Sequence, residues 1–343
     1  MSGSSLDGVD LALCRFSYEG TQWNFIVEAT STYSYSAEWT QMLKKAPQLP
    51  TKDLFALNSK YSQYLGERIV DFISNFRLQP DYIASHGHTV FHEPAQGFSY
   101  QMGDGALLAQ ITKVATISDF RNKDIIHGGQ GAPLVPIGDE LLFGDYKACI
   151  NVGGIANISY REGHDRIGYD ICGANQLLNA LSEKIYLPFD NEGYIASTGR
   201  VIPELLGFLN QNEFFEKTHP KSLSNQFVQQ YLVSPLLDYN AEIPDKMATA
   251  VEHIAMQVAA TLDKLSPGNV LVTGGGAKNR FLIKALARLT PHKLVIPIEE
   301  LIDFKEAIVF AFMGALRVNE SINCLASVTG ARQDSVCGRI DLP

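Results

Sequence analysis

Residues 148–171 read ACINVGGIANISYREGHDRIGYDI. The run 148–152 predicts a strand, Gly153-Gly154 a turn, 155–160 a second strand and 167–171 a third. A helix is expected from about Ala174, running on through Leu178 and Leu181. Further helices fit 202–210, 224–233 and 247–265. The run 269–273 (NVLVT) then predicts a strand, followed by Gly274-Gly275-Gly276 and a helix from about Asn279 to Leu289. The last long helix is expected over 305–317.

Outward from this stretch, the first half follows the same plan. Residues 9–16 alternate, with Val9, Leu11 and Leu13 on one face, and predict a strand that can pair with 23–31. Residues 53–76 place Leu54, Leu57, Tyr61, Leu65, Ile69, Phe72, Ile73 and Phe76 at spacings of three and four, the pattern of an amphipathic helix. Short buried strands are expected at 81–85 and 114–118, and an ordered loop at 127–138, where Gly and Pro punctuate the chain. SGSSLDGVDLAL (2–13) and INVGGIANIS (150–159) are alike in plan, though not in identity. Strands handing over to helices in each half argue for an α/β protein. A chain of 343 residues has room for two lobes of about 150 residues. The expected lobes are 1–140, with a C-terminal helix in about 305–343 returning to it, and 141–304, joined near 135–148.

Hydrophobic residues make up 45% of the chain and charged ones 19%, an ordinary globular balance, and the net charge is −9. Nucleic acid is therefore not an expected partner, because binding its backbone needs a basic surface. A nucleotide is not excluded, since a few backbone amides and a metal ion can hold one. No apolar run is long enough to span a membrane, and no signal-peptide pattern opens the chain. Cys14, Cys149, Cys172, Cys324 and Cys337 are odd in number and form no CxxC pair, which reads as reduced thiols in a cytoplasm.

Several short stretches can carry chemistry. Ser2-Gly3-Ser4-Ser5-Leu6-Asp7-Gly8 offers amides and hydroxyls suited to a phosphate chain, and Asp7 could hold Mg²⁺ through water. Asp-Gly is also a strong hairpin signal, and a plain turn is the simpler local reading. Gly274-Gly275-Gly276-Ala277-Lys278-Asn279, between strand and helix, lets a ligand approach the backbone closely, or makes a tight turn. There is no GxxxxGK[ST], so a Walker-type site is excluded. Asp170, near the carboxyl end of a strand, can face a ligand crevice and act as general base, or serve a helix N-terminus.

Ser85 to His92 (SHGHTVFH) contains three histidines. No carboxylate or cysteine is spaced to complete a metal shell, and alternation would put His86 and His88 on one face. A sugar-binding loop or a satisfied structural cluster fits better. Asp119-Phe120-Arg121 offers a guanidinium fork for a carboxylated sugar, or an internal Asp–Arg surface pair. Asp303 to Glu306 has the spacing of a capping box, which would account for Glu306.

The order of these stretches carries more than each alone. MSGSSLDGVD (1–10), SHGHTVFH (85–92), GDGALLA (103–109), ISDFRNKDI (117–125), GGQGAPLVP (128–136), NVGGIANIS (151–159), GYD (168–170), PKSL (220–223), VTGGGAKN (272–279) and EAIVFAF (306–312) occur in this sequence. In that order and over nearly the whole chain, the sequence resembles the anhydro-N-acetylmuramic acid kinases. The resemblance implies an actin-like (ribonuclease H-like) ATPase fold, with two similar lobes and a ligand cleft between them. It implies ATP and Mg²⁺, and an amino sugar whose 1,6-anhydro ring is opened by water and whose 6-hydroxyl is phosphorylated, during cell-wall recycling. A homodimer is left open.

By the same resemblance Asp170 matches the catalytic aspartate. Gly3, Ser4, Ser5, Asp7 and Gly8, then Gly153, Gly154 and Asn157, then Gly274, Gly275, Gly276 and Asn279, would face the nucleotide. Arg121 and Glu306, with Thr89 and Asp119, would face the sugar. Two departures stand out. The family has Asp-Thr-Gly-Pro-Gly-Asn where this chain has Asp170-Ile171-Cys172-Gly173-Ala174-Asn175, so a hydroxyl and a glycine are lost from a turn expected to meet phosphates. The family also has most of a strand ahead of its MSG, and its absence would leave a sheet edge open. An actin-like kinase with another acceptor, or a non-catalytic sugar- or ATP-binding relative, remain alternatives.

Overall fold

The computed structural model of the chain describes all residues except Ser4, Ser5 and Leu78. The chain divides into two compact units. Unit 1 is Met1–Leu142 with Phe304–Pro343, and unit 2 is Phe143–Asp303. In chain order the strands are β1 (Gly8–Glu19), β2 (Gln22–Ser34), β3 (Ile83–Ala84), β4 (His88–Glu93), β5 (Phe98–Met102), β6 (Thr116–Ser118), β7 (Ala148–Val152), β8 (Ile155–Glu162), β9 (Asp165–Gly173), β10 (Asn269–Thr273), β11 (Lys293–Val295) and β12 (Arg339–Asp341).

Unit 2 holds one five-stranded sheet in the order β11-β10-β7-β8-β9. β7, β10 and β11 run parallel, and β8 runs antiparallel to both β7 and β9. β7 is central, and Ala148, Cys149, Ile150 and Val152 are all buried. A strand covered on both faces has to read as a near-continuous apolar run, as ACINV does. The helices Asn175–Glu183, Ile243–Leu262 and Arg280–Leu289 supply Leu177, Leu181, Met247, Ile254 and Leu282 to the same core.

Unit 1 has a β1–β2 antiparallel hairpin, a β4–β5 hairpin and a three-stranded sheet in the order β12-β6-β3. The amphipathic stretch forms the helix Thr51–Phe76, which buries Leu54, Leu57, Tyr61, Leu65, Ile69 and Phe72. A second core gathers Ile117, Phe120, Val309, Phe310, Phe312 and Met313 around the helix Glu299–Val318. Among the described residues no helix is long and apolar enough to cross a membrane.

Several local expectations need correction. The helix expected over 305–317 begins six residues earlier, at Glu299, and ends at Val318. Asp303 is therefore inside the helix and pairs with Lys278 at 2.7 Å, so there is no capping box at Glu306. Beyond Val318 the chain turns and forms the short helix Ala326–Thr329 and then β12, which pairs antiparallel with β6, in place of one helix over 305–343. The 127–138 loop gives way to helix at Pro136. His86 and His88 do not share a face. Gly87, at φ +70°, breaks the alternation, so the His86 ring meets Phe310 and the His88 ring meets Tyr61.

The stretch expected as a turn at 171–174 is mostly strand. β9 continues to Gly173, and the register steps from Ala156–Cys172 to Asn157–Asp170. Ile171 is thus a bulged residue, and a bulge re-aims the side chains around it. Ile171, Cys172 and Ala174 are all buried. The changes from the family pattern at these positions fall in the core of unit 2.

Candidate functional site

In unit 2 the two glycine turns lie side by side, because β7 and β10 are parallel neighbours paired through Asn151 and Thr273. Ligand crevices in such sheets open at the carboxyl ends of parallel strands. Gly153 and Gly154 accept backbone hydrogen bonds from Asn175, Ala174 and Gln176, while the Asn175 side chain donates to Val152 O at 3.1 Å. This ties the β7–β8 turn to the N-terminus of the helix Asn175–Glu183 and leaves Gly154 exposed. Gly274, at φ +79°, has no room for a side chain. A Cβ there would lie 2.6 Å from Asn151 Oδ1 and 2.8 Å from Val152 O. Gly275 is exposed and Gly276 packs on Val152. The Asn279 side chain is committed elsewhere: its Oδ1 caps the helix Arg280–Leu289 through Leu282 N at 2.9 Å.

Asp170 is half-buried in β9, opposite Asn157 on β8. On its other side the chain at 221–223 runs along the strand. Asp170 N donates to Lys221 O, and Leu223 N donates to Asp170 Oδ2 at 2.9 Å. Burial raises the Asp170 carboxyl above its ordinary value, and the Leu223 amide partly opposes this. Asp170 is not at a helix N-terminus, because the next helix starts at Asn175. It is a carboxylate with one oxygen anchored and an environment that increases its basicity.

In unit 1 Arg121 has no pairing with Asp119. Its Nε and Nη2 donate to His86 Nε2 at 2.9 and 2.8 Å, and Nη1 donates to Gly131 O at 2.6 Å. His86 Nε2 is therefore the acceptor, which puts the ring proton on Nδ1, facing Gly87 O at 3.1 Å. Burial, and then the Arg121 charge, hold His86 neutral, well below its ordinary pKa. Glu306 reaches solvent but is ringed by protein atoms. Those atoms raise its carboxyl pKa, and the Arg121 charge lowers it again. Arg121 and Glu306 therefore sit within electrostatic reach of each other, a pairing invisible in their sequence spacing. Asp119, at φ +56°, accepts from Asn122 Nδ2 at 2.7 Å. Thr89 in β4 accepts from Gln101 Nε2 at 3.4 Å.

The turn at the start of unit 1 is partly described. Gly3 O accepts from Leu6 N, and Asp7 is exposed, with its carbonyl accepting from Tyr35 N at 3.1 Å. Gly8 packs tightly against Tyr33 and Ser34 of β2. Ser4 and Ser5 lie outside the described residues. Sequence reading missed His86 as the partner of Arg121 and Leu223 as the anchor of Asp170. The PKSL stretch was the one local hint of the second.

A five-stranded sheet with its second strand reversed, glycine turns at the ends of two parallel strands and a half-buried aspartate beside them define an α/β protein of the actin-like, ribonuclease H-like kind. The anhydro-N-acetylmuramic acid kinase family model matches residues 1–342, and the chain belongs to that family of sugar kinases. An anhydro-N-acetylmuramic acid kinase of Shewanella frigidimarina is 34% identical, covering 98% of this chain and 96% of its own. One of Pasteurella multocida is 36% identical, covering 99% and 95%. Among solved structures, a ROK family glucokinase from Streptomyces griseus in complex with glucose and AMPPNP aligns at 10% identity and a TM-score of 0.37. It covers 88% of this chain and 98% of that one, a likeness too distant to carry an argument.

Proposed function

We propose that this kinase takes ATP and 1,6-anhydro-N-acetylmuramic acid in the cytoplasm and yields N-acetylmuramic acid 6-phosphate and ADP. Water adds to the anomeric carbon, the 1,6-anhydro bond breaks at that carbon, and the freed 6-oxygen takes the γ-phosphoryl group. Asp170 accepts the proton of the attacking water. The observation that carries this reading is the state of Asp170, a half-buried carboxylate with Oδ2 held by Leu223 N–H and a raised pKa. Such a group is oriented and more basic than a free carboxylate, as a general base needs to be.

Gly153, Gly154, Gly274 and Gly275 would take the nucleotide, since their backbone is open to close approach. Arg121 and Glu306, with Thr89 and Asp119, would orient the sugar. His86 would fix the Arg121 fork rather than touch substrate. Asp7 offers a hard oxygen donor, exposed in its turn, that suits Mg²⁺ through water. Mg²⁺ would supply charge neutralisation for the transferring phosphoryl group.

The test is turnover with Mg-ATP and 1,6-anhydro-N-acetylmuramic acid, read by mass spectrometry. A product heavier than the sugar by one water and one phosphoryl group supports the proposal. Binding of ATP with no such product rules it out and sends the search to other acceptors.

A further inference from the structure

The Arg121 guanidinium is held from two sides. Nε and Nη2 donate to His86 Nε2, and Nη1 donates to Gly131 O at 2.6 Å. An arginine has five N–H donors, so these three bonds leave one on each Nη. On the first side the His86 ring is braced against Phe310. On the second side the acceptor is a backbone carbonyl in a loop, between the helices Asn122–Ile126 and Pro136–Leu141. That carbonyl aims at Arg121 only while the loop keeps its shape.

Asp124 sets that shape. It follows Arg121 by three positions, within the helix Asn122–Ile126, and is fully buried. Its Oδ2 accepts from Gly131 N at 2.7 Å. Its Oδ1 accepts from Thr329 Oγ1 at 2.7 Å and from Cys324 Sγ at 3.2 Å. Its carbonyl accepts from Gly129 N at 3.0 Å. A buried carboxylate is unfavourable unless donors surround it, and here the loop after Arg121 and the stretch 324–329 supply them. Gly131 is left-handed, at φ +65°. Its N–H is on Asp124 and its C=O is on Arg121, so holding the one aims the other. A Cβ on Gly131 would lie 2.9 Å from the Ile125 side chain, so the loop has little room to rearrange.

We propose that Asp124 is a positioning residue for the sugar, fixing through Gly131 the direction in which Arg121 presents its two remaining N–H groups. The inference rests on the reading that Arg121 faces the sugar. Asp124 itself touches no substrate. A long side chain that is ordered before binding gives up less freedom when its ligand arrives. Loss of the device therefore falls on sugar affinity more than on ATP affinity.

The experiment measures sugar and ATP KM for variants of the full chain, with sugar Kd from calorimetry as a second readout, using 1,6-anhydro-N-acetylmuramic acid. Asp124→Ala is expected to raise sugar KM and Kd at least tenfold and ATP KM less than threefold. Asp124→Asn keeps an oxygen for Gly131 N, and its amide can donate to Thr329 Oγ1, so sugar affinity should return to within threefold of the parent. Gly131→Ala leaves Asp124 in place and shifts the carbonyl that Arg121 uses. It should repeat the Asp124→Ala effect, and it decides the matter where Asp124→Ala does not fold. Thr329→Val removes a donor to Oδ1 and spares the Oδ2–Gly131 bond. It should lower Tm while sugar affinity stays within threefold. Arg121→Met should weaken the sugar at least tenfold, and adding Asp124→Ala to it should weaken the sugar no further.

Unchanged sugar affinity in Arg121→Met takes Arg121 away from the sugar and overturns both that reading and this inference. A parent chain that binds no such sugar does the same. Weakening by Arg121→Met with none in Asp124→Ala or Gly131→Ala overturns this inference alone. So does an equal loss in Thr329→Val, which marks general destabilisation, or full additivity in the double variant.

Discussion

Asn157 of β8 and Asp170 of β9 are direct cross-strand partners, brought into that pairing by the bulge at Ile171. Residues so paired have Cβ atoms about 4.5–5.5 Å apart. The carboxylate proposed as base and an amide proposed to face nucleotide are thereby neighbours on one sheet. Leu223 N, 53 residues further along the chain, holds Asp170 Oδ2 at 2.9 Å.

Asp170→Asn preserves shape and leaves an oxygen for the Leu223 amide. Turnover is expected to fall by about 10²–10⁴, with ATP affinity little changed. Tm at pH 7 should hold or rise, because a charge whose burial is unfavourable has been removed. Steady-state kinetics and calorimetry check both, and activity within tenfold of the parent would remove Asp170 from the mechanism.

The acid side of the rate profile should report the same group. A base works ionised, and burial raises the Asp170 pKa above 3.8. kcat/KM should therefore decline as pH falls through that raised value. A pH profile of kcat/KM tests this, and a flat acid limb in the parent enzyme would contradict it.

Buried histidines set a separate dependence, on stability. His88 is lowered to about 4 and His253 to about 3, both by burial, and His86 lies well below its ordinary value. Folded, these rings stay neutral, whereas unfolded they take protons below about pH 6.5. Their contribution is present above pH 6.5 and is lost as pH falls, down to about 4 for His88 and about 3 for His253. Urea melts at pH 7, 5.5 and 4.5 should show falling stability, and His253→Gln should flatten that slope.

Gly274→Ala puts a Cβ at a left-handed position, 2.6 Å from Asn151 Oδ1. Left-handed strain alone is about 1–2 kcal/mol, and the turn must also shift. Nucleotide affinity by calorimetry is expected to weaken at least tenfold. Unchanged affinity would place the nucleotide away from this turn.

Lys305 and Asp139 form an ion pair of 2.7 Å in which each side chain is only 6% exposed. Lys305→Met leaves the Asp139 charge buried and should destabilise the fold by about 3–5 kcal/mol. Lys305→Met with Asp139→Leu should recover much of that loss in denaturant melts. Equal losses in the single and double variants would show that the pair does not act as a unit.

Much of the α/β plan was legible because it is local. The alternation of 9–16, the spacing of three and four in 53–76, and the glycine turns at 153–154 and 274–276 each report backbone geometry within a few residues. The helix Glu299–Val318 was misjudged at its start because Asp303 looked like a cap, while its real partner is Lys278, 25 residues away. The His86–His88 alternation failed at a single left-handed glycine.

By itself the sequence determined the α/β class, the strand–turn–strand opening of unit 2 and the strand–glycine-turn–helix run at 269–289, and, through a chain-long run of motifs, membership of a sugar-kinase family, but not β4, β5, β11 or β12. Tertiary structure alone decided which groups meet. It brought Arg121 to His86 across 35 residues, put Glu306 within reach of Arg121's charge, and buried Ile171 and Cys172 where a turn was expected. The reason is physical. Periodicity encodes which face of an element is apolar, whereas the partners of a polar side chain depend on strand register and on packing between segments distant in the chain.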